Sequence, residues 1–282
     1  MDSSSKGGAA EKIKIGKRKR KGTRKRMRME SSGLGSPAPS ASMRRDEKRK
    51  RRAVHGNFGR YYSVRNEKRE QHPVFPFPLD SRLGRLHGDF FRGRRCLDIG
   101  CNAGDLTIAI AHGMQPRSML GIDIDANLVK RARAKLSLCV ASLSDPGERS
   151  RLASSVSFQH FDFSGEKGPA MEEELGGELF DTISAFSVVK WIHLHGGDDA
   201  VLDFFLKVQT LLKPGVGIFV LEPQEWSSYR RRNGGDRGGD LQLRPREFAR
   251  ILEDDFAFQD VRVEEAGGQG TFDRPIIIAK RA

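Results

Sequence analysis

The residues able to do chemistry cluster in two acidic, glycine-punctuated stretches and one basic and aromatic stretch. Leu97-Asp-Ile-Gly-Cys-Asn-Ala-Gly-Asp105 sets Gly100 and Gly104 at the end of an apolar run, where backbone must approach a ligand closely and a side chain would obstruct it. Asp98 just precedes this loop. Gly121-Ile-Asp-Ile-Asp125 supplies a second acid, Asp123, at about the separation from Asp98 that lets a carboxylate accept the hydrogen bonds of a ribose diol.

A dinucleotide loop would read GxGxxG, whereas this one reads GxxxG, with Asn102 in place of the middle glycine and Asp105 after the last. Pyrophosphate needs bare backbone N–H groups and tolerates acid poorly, but an ammonium and a sulfonium are favoured by carbonyls and carboxylates. The loop therefore suits S-adenosylmethionine, with Asp98 ordering its amino-acid end. A βα turn that binds nothing is the competing reading. Further on, Asp162-Phe163 offers an acid for an exocyclic amine and a ring for an adenine face, although the following Ser164-Gly165 would equally mark an ordinary strand end.

Ser187-Val-Val-Lys-Trp-Ile-His-Leu194 brings together a cation, Lys190, a broad π face, Trp191, and a switchable donor, His193, a set that suits a phosphate attached to a nucleobase. Taken singly, each has a structural explanation: a solvated lysine, a core tryptophan, a satisfied helix histidine. Tyr61-Tyr62, Trp191 and Trp226-Ser-Ser-Tyr229 with Arg230-Arg-Arg232 hold both tryptophans and all three tyrosines, a grouping expected of a stacking platform for splayed bases.

The elements that must position these residues follow from the patterning. Short apolar runs alternate with helical stretches from about Gly93, the signal for βαβ units around a parallel sheet. Strands are expected at Arg95–Ile99, Ser118–Ile124, Val156–Phe163, Phe180–Ser187 and Gly217–Glu222, with helices at Leu106–His112, Asn127–Val140 and Ala200–Leu212. Phe258–Glu264 and Arg274–Lys280, separated by a turn at Ala266–Gly270, are expected to form an antiparallel hairpin. A mostly parallel sheet closed by such a hairpin is the α/β, Rossmann-like arrangement of methyltransferases.

Charge divides the chain sharply. Residues 1–55 carry 19 of the 50 Lys and Arg but only 5 of the 37 Asp and Glu, so the entire excess of positive charge lies there and residues 56–282 are nearly neutral. We expect a disordered basic arm, 1–55, and one catalytic domain, 56–282. The clusters Lys17-Arg-Lys-Arg-Lys21, Arg24-Lys-Arg26 and Lys48-Arg-Lys-Arg-Arg52 suit polyphosphate binding or nuclear import, a solubilising tail being the alternative. Cys96, Cys101 and Cys139 have no metal-ligand spacing, so buried thiols in a reducing compartment, with neither disulfide nor metal, are expected. No apolar run reaches membrane-spanning length and no apolar segment backs the N-terminal charges, which points to a soluble protein of the nucleus, with the cytoplasm as alternative.

The segments Gly56-Asn-Phe-Gly-Arg-Tyr-Tyr-Ser-Val-Arg65, Phe91-Arg-Gly-Arg94, Leu97-Asp-Ile-Gly-Cys-Asn102, Gly121-Ile-Asp-Ile-Asp125, Lys190-Trp-Ile-His-Leu194, Leu221-Glu-Pro-Gln224, Trp226-Ser-Ser-Tyr229 and Phe272-Asp-Arg-Pro275 together resemble the Bicoid-interacting-protein methyltransferases, the RNA methylphosphate capping enzymes. The resemblance implies methyl transfer to a terminal 5′ phosphate oxygen of a small RNA by a monomer, with ribonucleoprotein partners. It puts Tyr62, Arg82, Gly100, Cys101, Asn102, Asp123 and Ile124 at cofactor positions and Tyr61, Arg65, Lys190 and His193 around the phosphate. Asp162, Phe163 and Phe186 take the remaining cofactor positions, where the family pattern has an amide before the aromatic and a leucine at the last.

A phosphate oxygen is already ionised, so such an enzyme needs alignment rather than a general base, and Lys190 with an Arg65 fork would hold the phosphate. Methylating a planar amine would instead favour an amide and a proline after the fourth strand, which Ser184-Ala-Phe-Ser187 does not supply. A methyltransferase for proteins or small molecules and a noncatalytic RNA chaperone on the same fold are the alternatives.

Overall fold

The computed structural model describes residues 55–56, 61–65, 72–78, 80–165, 169–229, 241–266 and 273–282. The expected basic arm, apart from His55, lies outside them, as do Arg230-Arg-Arg232 and most of the turn after Glu264.

The apolar runs become seven strands: β1 (Arg95–Ile99), β2 (Ser118–Asp123), β3 (Val156–His160), β4 (Thr182–Phe186), β5 (Ile218–Glu222), β6 (Phe258–Glu264) and β7 (Ile276–Arg281). They form one sheet of order β3-β2-β1-β4-β5-β7-β6, parallel from β3 to β5 and antiparallel in its last two pairings. This is the Rossmann-like methyltransferase sheet the sequence leads one to expect, with the closing hairpin folded inward so that β7 lies between β5 and β6. All five β4 residues are buried, as a parallel strand covered on both faces requires.

Alternate residues feed two cores. Phe219 and Leu221 join Phe204, Phe205 and Phe248 on one face, while Val220 joins Phe91, Ile108 and Phe158 on the other. The covering helices are α1 (Tyr61–Arg65), α2 (Asp105–Met114), α3 (Ala126–Ser142), α4 (Pro146–Ser155), α5 (Pro169–Glu174), α6 (Val189–Leu211) and α7 (Phe248–Asp254). Asp125 and Asp145 cap α3 and α4 by accepting the N–H groups of Asn127 and Glu148 at 2.8 and 2.6 Å.

Three departures bear on the site. β3 stops at His160, because Asp162 turns the chain by accepting the Ser164 N–H at 2.9 Å. The helix expected from Ala200 begins at Val189 and is interrupted at Gly197 (φ 75°), so Lys190 and His193 stand on its first turns. The polar α4, with only Leu152 and Ser155 buried, and the seven-residue α7 have too little apolar periodicity to be read from sequence.

Gly104 caps α2 with a left-handed φ of 79°, and a Cβ there would lie 2.7 Å from the Phe158 ring. Gly104→Ala should therefore cost about 1 to 3 kcal/mol in urea denaturation through combined backbone strain and overpacking; an unchanged midpoint would show that the turn relaxes freely.

Candidate active site

Asp98 sits on the central strand, in register with Gly121 of β2 and Ser184 of β4, so the sheet delivers it to the carboxyl edge where open α/β folds bind ligands. The loop that follows uses its own donors. The Gly100 and Cys101 N–H groups both reach the Ile122 carbonyl at 2.9 Å, Asn102 N–H donates to Asp123 Oδ2 at 2.9 Å, Ala103 N–H to Asn102 Oδ1 at 2.8 Å, and Gly104 N–H to the Cys101 carbonyl at 3.0 Å. A loop with every N–H from 100 to 104 engaged cannot cradle a pyrophosphate, which supports the distinction drawn from its GxxxG spacing. The glycines also have a packing reason. A Cβ at Gly100 would strike Val188 and one at Gly104 would strike Phe158, so both answer to packing and left-handed backbone.

The Asp98 carboxylate accepts from Thr107 Oγ1 at 2.6 Å and Ser184 Oγ at 2.9 Å but forms no ion pair among the described residues. Burial pushes it up to about 6, against the pull of those two hydroxyls. A cationic ligand group would remove that penalty. Asp123 ends β2, also raised by burial, and holds Asn102 and Asp125 N–H with separate oxygens; Ile124, beside it, is half-buried. Cys101 is a free, buried thiol pushed well above its ordinary value by burial, as inert as sequence suggests. Asp105 is paired with Lys135.

Next to this acidic pocket lies a buried cationic one. Arg82 donates to Asp80 at 2.9 and 2.7 Å and lies under the Tyr62 and Phe186 rings, 5.8 and 5.2 Å from their centres. Burial alone would raise the Asp80 carboxyl, but the Arg82 guanidinium holds it far below the usual carboxylate range. Burial also keeps the Tyr62 hydroxyl neutral. At the end of β5, Glu222 takes both ends of the Arg65 fork at 3.2 and 3.0 Å, with Arg82 and Arg274 each 3.6 Å away. Three guanidiniums thus face two carboxylates, Asp80 and Glu222, in ion pairs among the described residues. Beside the expected Arg65 fork onto a phosphate stands a competing partner: Glu222 holds both ends of the fork, and Arg65 Nη1 also donates to Tyr61 Oη at 3.2 Å.

Lys190 packs over the Trp191 and Tyr229 rings and donates to the Ser228 carbonyl at 2.8 Å. His193 is fully buried with both nitrogens engaged, one at 3.3 Å from the Tyr229 hydroxyl and the other at 2.6 Å from Asp198, and burial lowers its pKa. It steadies Tyr229 beside Lys190, rather than offering a nitrogen to an anion as expected. The expected stacking platform is closed too: Tyr229 is buried against Trp226, Arg244 covers Trp226 at 4.0 Å, and Gly56 lies on Trp191. Phe163 packs on Phe204 under the Lys207 ammonium while Asp162 is exposed, so the plain strand-end reading of that pair describes them better than an adenine clamp does.

Sequence reasoning missed Asp80, Ser187, Glu222 and Arg274 as site residues. Glu222 and Arg274 lay within recognised motifs, yet nothing local marks a carboxylate whose Arg65 partner comes from 157 residues away.

Residues 180–281 match the family described as Bicoid-interacting protein 3 (Bin3). The chain is 34% identical over 266 residues to a probable RNA methyltransferase of Arabidopsis thaliana, covering 79% of each protein. It is 33% identical to the U6 snRNA methylphosphate capping enzyme Amus of Drosophila melanogaster over 70% of this chain and 64% of that one. Against the 7SK snRNA methylphosphate capping enzyme of Homo sapiens the identity is 30%, over 66% of this chain and only 32% of the human protein, so the match spans about a third of that relative.

The Asp98 environment sets a pH dependence. With a folded pKa of about 6 against an ordinary 3.8, the native state keeps the Asp98 proton longer than the unfolded chain, so the contribution of Asp98 to stability is greatest at low pH and is lost as pH rises through about 4 to 6. The loss should be on the order of 2 to 3 kcal/mol, and Asp98→Asn should abolish it in urea denaturation at about pH 4.5 and about pH 7. Parallel pH profiles for the two proteins would count against a buried, unpaired Asp98.

Proposed function

We propose that this chain, which belongs to the Bicoid-interacting protein 3 family, transfers the methyl group of S-adenosylmethionine to a terminal 5′ phosphate oxygen of RNA. The observation that carries the reading is the side-by-side placement of a buried carboxylate without an ion-pair partner among the described residues, Asp98, and a buried cluster of three guanidiniums around Glu222. The first suits a cationic donor and the second an anionic acceptor.

The residues present fit the donor. Asp98 meets its ammonium end, Gly100, Cys101 and Asn102 shape the floor, Asp123 and Ile124 receive the ribose side, and Tyr62, Arg82 and Phe186 enclose it. Gly104 serves by holding the turn. When bound, S-adenosylmethionine supplies an electrophilic methyl on a sulfonium. Lys190 and Tyr61 hold nonreacting phosphate oxygens by a charge-assisted bond and a hydroxyl, while Arg65, fixed by Glu222, adds its field. His193 orients Tyr229, against which Lys190 packs. No side chain has to remove a proton, because the phosphate oxygen is ionised at neutral pH, and this accords with His193 having both nitrogens engaged. The relatives act on RNA by name, and the basic clusters in residues 1–55 support nuclear import for this chain; deleting them should release a fluorescently tagged protein from the nucleus, and unchanged retention would remove that role.

Labelled methyl donor offered with RNAs of defined 5′ ends tests the reaction. Label should appear on 5′-phosphorylated RNA and be released with its terminal nucleotide on nuclease digestion; equal labelling of 5′-hydroxyl RNA would overturn the proposal. Lys190→Ala should raise KM for the RNA about 10-fold or more while donor affinity stays within about 2-fold, since only the phosphate side loses a charge. Equal weakening of both would remove Lys190 from the phosphate.

A further inference from the structure

We infer, on the reading that the acceptor is a 5′ phosphate, that Glu222 is a positioning residue that keeps the Arg65 fork off the reacting oxygen and so preserves its nucleophilicity. Any enzyme that binds its nucleophile as an anion faces a conflict: a guanidinium forked onto a phosphate binds it well but withdraws the electron density that must attack the methyl group. Binding that is stronger in the ground state than in the transition state slows the step.

The geometry resolves that conflict. Glu222 is wholly buried and cannot touch substrate, yet it engages both terminal nitrogens of Arg65. Arg65 Nη1 also donates to Tyr61 Oη. The phosphate then meets the Tyr61 hydroxyl, polarised by that bond, in place of a charged fork. Tyr61 is half-buried, whereas Arg65 is buried, in keeping with this order of contact.

Glu222 is itself held against rotation. Ser187 donates its hydroxyl to Glu222 Oε1 and accepts from Arg274 Nη1 at 2.6 Å, while the Ser187 N–H donates to the Glu222 carbonyl at 3.0 Å. Ser187 does so from a left-handed φ of 60°, a conformation that a serine keeps only when its surroundings fix it. The Gln224 side chain joins the Ser187 carbonyl to the Lys190 N–H, so the carboxylate that restrains Arg65 and the lysine that binds phosphate share one mount.

Glu222→Gln keeps the size of the side chain and removes the charge that restrains Arg65. The expected result is an opposed shift: the dissociation constant for 5′-phosphorylated RNA falls about 3-fold or more while kcat falls about 10-fold or more. Adding Arg65→Gln to that variant should recover several-fold of the lost kcat. In 31P NMR, the second pKa of the bound terminal phosphate should drop in Glu222→Gln relative to wild type. If the glutamine variant melts early, Glu222→Asp keeps the charge but loosens its grip on the fork, and the same opposed shifts, smaller, are expected. RNA binding and kcat weakening together, or kcat unaffected, overturns the inference. A wild-type chain that methylates no 5′-phosphorylated RNA overturns the reading beneath it, and is seen before any variant is made.

Discussion

A carboxylate and a guanidinium taken out of water must find each other or cost several kcal/mol each, and at Glu222 that requirement is met by residues from four separate parts of the chain. Arg65 comes from α1, Arg82 from the short turn after Asp80, Ser187 from the end of β4 and Arg274 from the approach to β7. The charge cluster acts as a keystone at the carboxyl edge, and the catalytic geometry inherits its precision.

The same edge shows why opposite electrostatics can be neighbours. β1, inside the sheet, carries Asp98 and its two hydroxyl donors near its carboxyl end, whereas β5, two strands away, ends in Glu222 and its arginines. Because the strands are parallel, both termini open on one side, and their residues are separated by the width of β4. A donor and an acceptor of opposite charge can therefore be held side by side by a scaffold that does not itself need to move.

Much of this was legible in the sequence because it is local. The β1 run, the GxxxG loop and the acid ending β2 lie in short windows whose periodicity and turn chemistry are self-contained, and the strands appear where those patterns place them. What was not legible depends on long-range pairing or on packing. Asp80, Glu222 and Arg274 read as ordinary charged residues until the fold brings them together. Gly100 and Gly104 were identified as special, and close packing against Val188 and Phe158 gives them a reason the sequence did not show. His193 falls where chemistry was expected, yet the helix from Val189 turns it onto Tyr229 and Asp198, and Trp226, in the turn after β5, lies under Arg244. Asp162-Phe163 shows the limit of pattern reasoning in the other direction, since a strand end and a base clamp can share the same letters.

The insertion of β7 between β5 and β6 has a consequence for how the edge is completed. Arg274 leads into β7 and reaches Ser187 and Glu222, so the cluster gains its third guanidinium only through the antiparallel pairing of β7 with β5. A change that frays this pairing would disturb the cationic edge from a distance, without replacing any residue in it.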